Sequence, residues 1–264
     1  MGTGHEHRPH LHKGRFGYGY IKDHHDRSAD KLFSTHLKVL APLPASVNLS
    51  AQPQPPIYDQ GQLGSCTANA AAAMLGFVEA KEGNSVELLS RLFIYWRARV
   101  DKGTDEGATI YDSMLCVAQK GVCSEALWPY DISKFADEPP PAEWGDAWHR
   151  IAGFDYFRVQ TLQDMKSCLA AGYPFEFGIE VYDSFESQTV ADTGIVPVPN
   201  TRREELLGGH AICAVGYDDA RQAVLFRNSW GTNWGLKGLA WIPYKYITNT
   251  SLAFDMWTVR KIAR

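Results

Sequence analysis

The stretch "DQGQLGSC", Asp59 to Cys66, decides how the rest of the chain is read. It sets a glutamine, then Gly61, Gly64 and Ser65 with little or no side-chain bulk, then a cysteine, directly ahead of an alanine-rich run. From Ser65 to about Lys81 the apolar residues at 68, 71, 72, 75 and 78 keep a helical period, and Ser65 is a favourable N-cap. Cys66 then stands at a helix N-terminus, where unpaired N–H groups and a partial positive charge help a thiol to ionise. A small apolar residue would pack as well at that point, so the stretch reads as one that presents a thiol. The thiolate is the reactive species, and a free cysteine with a pKa near ~8.5 needs a basic partner, usually histidine.

Seven of the nine histidines (5, 7, 10, 12, 24, 25 and 36) lie in the first 40 residues, among Arg, Lys, Gly and Asp. Their spacings match no metal-binding motif, so the tail reads as solvated rather than metal-binding, and no metal site is assigned. Two candidates remain. His149 follows "EWGDAW" in a charged, aromatic connector, whereas His210 opens a strand in "GGHAICAVGYD", with Gly208 and Gly209 leaving its imidazole room. Eighteen positions after His210 comes "RNSWGTNWG". Its Asn228 can accept from one imidazole nitrogen and fix the tautomer, leaving the other to face the thiol. Trp230 and Trp234 can shield that bond from water.

At 264 residues the chain is long enough for one large domain or two lobes, and 45% hydrophobic with 21% charged residues reads as soluble and globular. A net charge of -4 gives no reason to expect nucleic acid or an anionic membrane as partner. No apolar run approaches the ~18–20 residues of a membrane span. The start lacks the apolar core of a secretory signal, which leaves a cytoplasmic protein or one whose signal was removed before the numbering begins. The five cysteines (66, 116, 123, 168 and 213) include no C-x-x-C, which argues against a zinc ribbon or a thioredoxin-type redox site. The last four read as ordinary buried thiols.

"APLPASVNLSAQPQPPI" (41–57) is a Pro-rich connector that sets off the N-terminal segment. Helices are expected over 65–81, 85–99, 109–120 and 161–171, with a second connector at "EPPPAEW" (138–144). Strands follow at 175–181, 210–218, 223–230, 238–244 and 256–262. Helices first and strands later indicate an α+β fold.

With these residues in view the chain resembles the papain family of cysteine peptidases. Gln60, Gly61, Gly64, Ser65 and Cys66 match its Gln-Gly-x-x-Gly-Ser-Cys, His210-Ala211 its strand histidine, and Asn228 to Gly235 its Asn-Ser-Trp-Gly-x-x-Trp-Gly. His210 follows Cys66 by 144 positions, within the ~130–150 expected of this layout. Trp128-Pro129-Tyr130 resembles a further family segment. The likeness covers about residues 43–262 and departs at Leu63 and Thr67, where the family usually has a disulfide cysteine and an aromatic residue. The usual disulfides are therefore not expected, which fits a bacterial-type member.

The resemblance implies a two-lobed fold within 43–264. A helical left lobe (about 57–135) would carry Gln60 and Cys66, an antiparallel β-barrel-like right lobe (about 145–262) His210 and Asn228, and the cleft would lie between them. It implies hydrolysis of peptides or proteins through a thioester by a monomer, with no cofactor. Cys66 would attack, His210 would move protons, Asn228 would orient it, and Gln60 with the Cys66 N–H would hold the oxyanion. Gly107, Ala108, Thr109, Gly178 and Gly209 would fall near the second specificity pocket, and Trp230 is a further candidate contact. The rivals are a Cys-His acyltransferase or transglutaminase-like enzyme, which usually recruits Asp as third member, and a non-catalytic peptide-binding module. Residues 1–42 are too short for an independent core yet carry Phe16, Tyr18, Tyr20, Ile21, Leu32, Phe33 and Leu37. They are expected to lie on the catalytic body as a pro-segment that acts as an intramolecular inhibitor, with Leu32, Phe33 and His36 on one helix face.

Overall fold

The computed structural model describes residues 17–36, 42–83, 86–149 and 154–261. Phe16, Leu37 and the histidines at 5, 7, 10 and 12 lie outside them. A single helical turn, α1 (Phe33–His36), and a short strand, β1 (Ser46–Asn48), precede the helical lobe. α2 (Cys66–Lys81) is the axis of that lobe, and every residue from Cys66 to Val78 is buried. Its alanines allow this, because small side chains let neighbours approach from all sides. Beside it lie α3 (Arg91–Ala98) and α4 (Ile110–Lys120), and α5 (Pro141–His149) seats Trp144 against Phe93 and Trp96 at 5.0 and 5.8 Å between ring centres.

Two expectations for this lobe change. The helix expected over 85–99 begins only at Arg91, because Leu89 is bridged to Ser124 and Ser90 Oγ accepts from the Phe93 N–H at 3.1 Å as an N-cap. The expected connector at 138–144 is helical from Pro141, since proline suits the first turn, where its missing N–H would have no partner.

The second half comprises β2 (Phe154–Arg158), α6 (Leu162–Ala170), β3 (Phe175–Tyr182), α7 (Gln188–Thr193), β4 (Leu206–Asp218), β5 (Ala223–Arg227), β6 (Leu239–Pro243), α8 (Tyr244–Ile247) and β7 (Ala253–Lys261). A capping box starts α6: Thr161 Oγ1 accepts from the Asp164 N–H and Asp164 Oδ2 from the Thr161 N–H, each at 3.1 Å. The strands form one antiparallel sheet in the order β2-β7-β3-β4-β5-β6, with β1 on β4. It is not closed into the expected barrel. Other parts of the chain cover its two edges: Lys31 accepts from the Arg158 N–H of β2 at 2.8 Å, and Val196 donates to Trp241 of β6 at 2.9 Å. Edges satisfied in this way have no need of each other. All five cysteines are free and buried. Among the described residues no helix is long and apolar enough to cross a membrane.

Glu176, the second residue of β3, is fully buried and neither carboxylate oxygen has a hydrogen-bond partner. Desolvation lifts its pKa well above the carboxylate range. The native state then keeps a proton that the unfolded chain releases above ~4.3, so stability falls as pH rises from there towards the raised native pKa. Glu176→Met removes that linkage and leaves no orphaned polar atom. It is expected to stabilise the protein at pH 8 by about 1–2 kcal/mol, roughly 3–6 °C in Tm, and to flatten the decline between pH 5 and 8. Thermal melts across that range check this, and an unchanged pH slope would rule out Glu176 as the responsible group.

Candidate active site

Cys66 is the first residue of α2 and is completely buried. The expected cap at Ser65 does not form: its φ of −99° and ψ of 23° are not those of an extended capping residue, and its side chain makes no capping bond. The Ser65 hydroxyl instead meets the Tyr130 hydroxyl and accepts from Asn69 Nδ2 at 3.0 Å.

Gln60 is buried where the entry loop crosses to the β-rich lobe. Its N–H donates to Ser229 O at 2.9 Å, its Oε1 accepts from Ser229 Oγ at 2.6 Å, and Tyr130 donates to its carbonyl at 3.0 Å. These bonds aim Nε2, which donates at 2.9 Å both to Leu63 O and to Gly17 O. Gly61 turns the loop at a φ of 60°.

His210 lies in β4 opposite Ile179 of β3. Its Nε2 is 2.8 Å from Asn228 Oδ1, which also accepts from the Ser229 N–H at 2.9 Å. With an oxygen as partner, Nε2 carries the proton, and Nδ1, which has no hydrogen-bond partner, keeps its lone pair. Trp230 stacks on the ring at 4.9 Å, with Trp234 and Phe185 packed on Trp230 at 5.3 and 5.6 Å. The N–H of Ala211, the residue after His210, lies near enough to the Cys66 sulfur to favour its thiolate, so the strand that carries His210 passes beside Cys66.

Burial dominates both ionisations. It pushes the Cys66 thiol up to about 11, against the pull of the Ala211, Gly19 and Thr67 N–H groups. It drives His210 down to about 4, against the Asn228 bond. Thiol and imidazole are therefore both neutral at pH 7 in this arrangement.

The chain's own N-terminal residues lie over them. Tyr20 donates to Gly209 O at 3.2 Å, Ile21 to Ala108 O at 3.0 Å, and the Ala108 N–H to Gly19 O at 2.8 Å. Gly19 passes so close to Gly64 that a Cβ on it would sit 1.6 Å from Gly64 O. Tyr18 stands edge-on to His210 at 6.0 Å and donates its hydroxyl hydrogen to Glu186. Farther along, His25 stacks on Tyr111 at 3.7 Å and bridges Asp23 and Asp30. Burial opposes protonation of His25, but the Asp30 and Asp23 carboxylates outweigh it and raise its pKa. Lys31 pairs with Asp155, Arg158 with Asp30 at 3.4 Å, and Phe33 is buried.

Four of the expected pocket residues border this segment. A Cβ would meet Gly19 O at 2.0 Å on Gly107, the Tyr20 ring at 2.2 Å on Gly178 and Tyr20 O at 2.5 Å on Gly209, while Ala108 pairs with the segment directly. Trp230 touches it through Tyr18, at 6.2 Å between ring centres. Thr109 is engaged elsewhere: its Oγ1 caps α4, accepting from the Asp112 N–H at 2.9 Å. The sequence did not reveal Asp105, whose carboxylate accepts from the Gly64 N–H at 3.0 Å and from the Tyr95 hydroxyl. It did not reveal Asp255 either, which accepts from the Tyr20 hydroxyl at 2.6 Å. An aspartate in an apolar, alternating strand carries no such signal. Among the described residues no group of three or more His, Cys, Asp or Glu side chains is placed to hold a metal ion.

Comparison with known proteins agrees with this geometry. The family model described as papain family cysteine protease matches residues 43–256. An uncharacterized peptidase C1-like protein of Acanthamoeba polyphaga mimivirus is 35% identical, over 93% of this chain and 87% of its own length. The crystal structure of xylellain, a cysteine protease from Xylella fastidiosa, aligns with a TM-score of 0.86 and 37% identity, covering 94% of this chain and 97% of that one. A digestive procathepsin L2 proteinase from the Tenebrio molitor larval midgut shares the fold, with a TM-score of 0.71 and 21% identity over 96% of this chain and 81% of its own. A family match over most of the chain, and relatives that share more than a third of its residues, show that the chain belongs to the papain family of cysteine proteases.

Proposed function

We propose that the protein is a cysteine endopeptidase made as a zymogen, with residues 1–42 gating its cleft. The observation that carries this reading is a peptide main chain lying in the cleft, with the Gly17 carbonyl oxygen 2.9 Å from Gln60 Nε2. The donor suited to an oxyanion already holds a peptide carbonyl. The Gly19 N–H lies near the Cys66 sulfur and favours its thiolate.

Once the segment is displaced, water returns and the Cys66 proton can pass to His210 Nδ1. The thiolate attacks the carbonyl carbon of a substrate, and Gln60 Nε2 with the Cys66 N–H stabilises the oxyanion. His210 gives its proton to the leaving amine as the C–N bond breaks, leaving a thioester. It then takes a proton from water, which attacks the thioester and releases the acid and the free thiol.

Removing the whole segment would also strip Phe33 and Tyr20 from the core, so a single substitution in the full chain is the cleaner test. Gly19→Ala cannot fit against Gly64 and is expected to raise kcat/KM on a short peptide at least tenfold. An unchanged or lower rate would contradict the gate. The same variant should move the pH midpoint of Cys66 alkylation from about 11 to below the free-thiol value of ~8.5. Coincident alkylation profiles for the two proteins would show that the segment does not desolvate the thiol.

Asn228→Ala should be milder than Cys66→Ala. It removes the partner that fixes the ring and leaves nucleophile and base in place, so a ~10- to 100-fold fall in kcat is expected. Complete loss of turnover in a folded Asn228→Ala protein would mean that Asn228 does more than orient.

A further inference from the structure

We propose that Asp255 is the floor of a side-chain pocket beside Cys66 and His210, and that it selects substrates placing a long cationic side chain, arginine or lysine, in that pocket. The inference rests on the peptidase reading above and names its substrate class.

The Tyr20 side chain shows the shape of the pocket. It passes between Gly178 and Gly209: a Cβ on Gly178 would lie 2.2 to 2.6 Å from three of its ring atoms, and one on Gly209 would lie 2.9 Å from its Cδ1. The slot exists because both positions lack side chains. At its end the Tyr20 hydroxyl donates to Asp255 Oδ2 at 2.6 Å. Asp255 reaches this place because its backbone leaves the strand pattern. Its φ is 49°, and the pairing of β3 with β7 slips between Glu176 and Gly178. The carboxylate is about 1% exposed.

Its partners are the informative part. Oδ2 accepts from the Tyr20 hydroxyl and, at 2.8 Å, from the Asp23 N–H, while Oδ1 pairs with the Arg27 guanidinium. All three belong to residues 20–27, and among the described residues the catalytic body supplies none. Arg158 of β2, within electrostatic reach of Asp255, makes its ion pair with Asp30 instead. Glu180 adds a second negative charge near the Tyr20 hydroxyl.

Displacing the segment takes every donor from a buried carboxylate, which is strongly unfavourable unless another donor replaces them. An arginine side chain answers this best: its stem suits the glycine-walled slot, and its planar fork binds a carboxylate with two bonds. Lysine supplies the charge without the fork. Tyrosine supplies a donor without the charge, as Tyr20 does. Leucine or valine would leave the carboxylate unpaired, and a site built around a polar contact discriminates strongly against ligands that lack it.

The test uses the full chain carrying Gly19→Ala, with and without Asp255→Asn. The peptides differ only at the second residue before the cleaved bond: Arg, Lys, Tyr, Leu or Val. Asparagine keeps the shape of aspartate and tolerates a positive φ, so the fold should survive, and a thermal melt checks that it does. The arginine peptide is expected to exceed the leucine peptide at least tenfold in kcat/KM. In the Asp255→Asn protein that ratio should fall at least tenfold. The ratio does not depend on what fraction of the protein is open, so any measurable turnover reports it. Leucine equal to or above arginine, or a ratio that survives Asp255→Asn, overturns the proposal while leaving the peptidase reading intact. No cleavage of any peptide, with no labelling of Cys66 by an epoxysuccinyl probe, overturns the peptidase reading and this inference with it.

Discussion

The contact between Gln60 and Ser229 is the constraint on which the rest of the site depends. Gln60 and Cys66 belong to the helical side of the molecule, His210 and Asn228 to the sheet, and no disulfide joins the two sides. They are held in register by two bonds between Gln60 and Ser229, by the bridge between Asp59 and Trp230, and by the Gly231 N–H donating to Tyr58 O at 3.0 Å. Each bond uses main chain or a buried amide, so the join is rigid and directional. Ser229 follows Asn228 directly, and Gln60 lies one turn of loop before Cys66. Ser229 therefore fixes both Asn228, proposed to orient the imidazole, and Gln60, proposed to hold the oxyanion. Behind it, the buried Arg227 guanidinium binds Gln54 Oε1 at 3.0 Å and Pro55 O at 3.1 Å, tying the Pro-rich connector to the strand that leads into Asn228.

Desolvation is the second constraint, and it acts on charge rather than on shape. A helix N-terminus and three N–H groups favour the Cys66 thiolate, yet burial outweighs them while the segment is in place. The imidazole is subject to the same effect in the opposite direction. As a gate, the segment's backbone would block the cleft and also withhold the water that would let the dyad charge. Under the proposed gate one movement restores both access and ionisation.

Much of this was legible in the sequence, because the chemistry is concentrated in short motifs with fixed partners. "DQGQLGSC", His210 after two glycines, and "RNSWGTNWG" each need their residue types for a local reason, and the folded chain sets Gln60 against Ser229 and His210 against Asn228. What was not legible depends on pairing between distant segments. β2 shows a half-buried pattern that resembles a loop, and it is a strand because β7 and Lys31 flank it. The sheet stays open because remote pieces of chain cover its edges, which no local pattern reveals. Ser65 carries the composition of a cap, but Tyr130 and Asn69 engage its hydroxyl. Asp255 was hidden because its role follows from a positive φ that breaks the alternation around it.

The proposed gate and the substrate would compete for the same groups: the Ala108 N–H and C=O, the Gly209 carbonyl and Gln60 Nε2. A tethered strand acts at an effective concentration in the millimolar range, whereas free peptides are ordinarily present at or below that level. Substrate alone would therefore displace the segment poorly. The ion pairs outside the cleft add little where they are exposed, as Lys31 with Asp155 is. The apolar anchor, Phe33 at 1% exposure, contributes about 1.5–3 kcal/mol by its burial. Together with the buried Tyr18 and Tyr20, that anchor holds a tethered segment far more firmly than one free to diffuse away. Covalent continuity with the body is thus what would keep the cleft shut. Cutting the chain between α1 and β1 would open it without any change in the contacts themselves, because the cut abolishes the effective concentration on which those contacts rely.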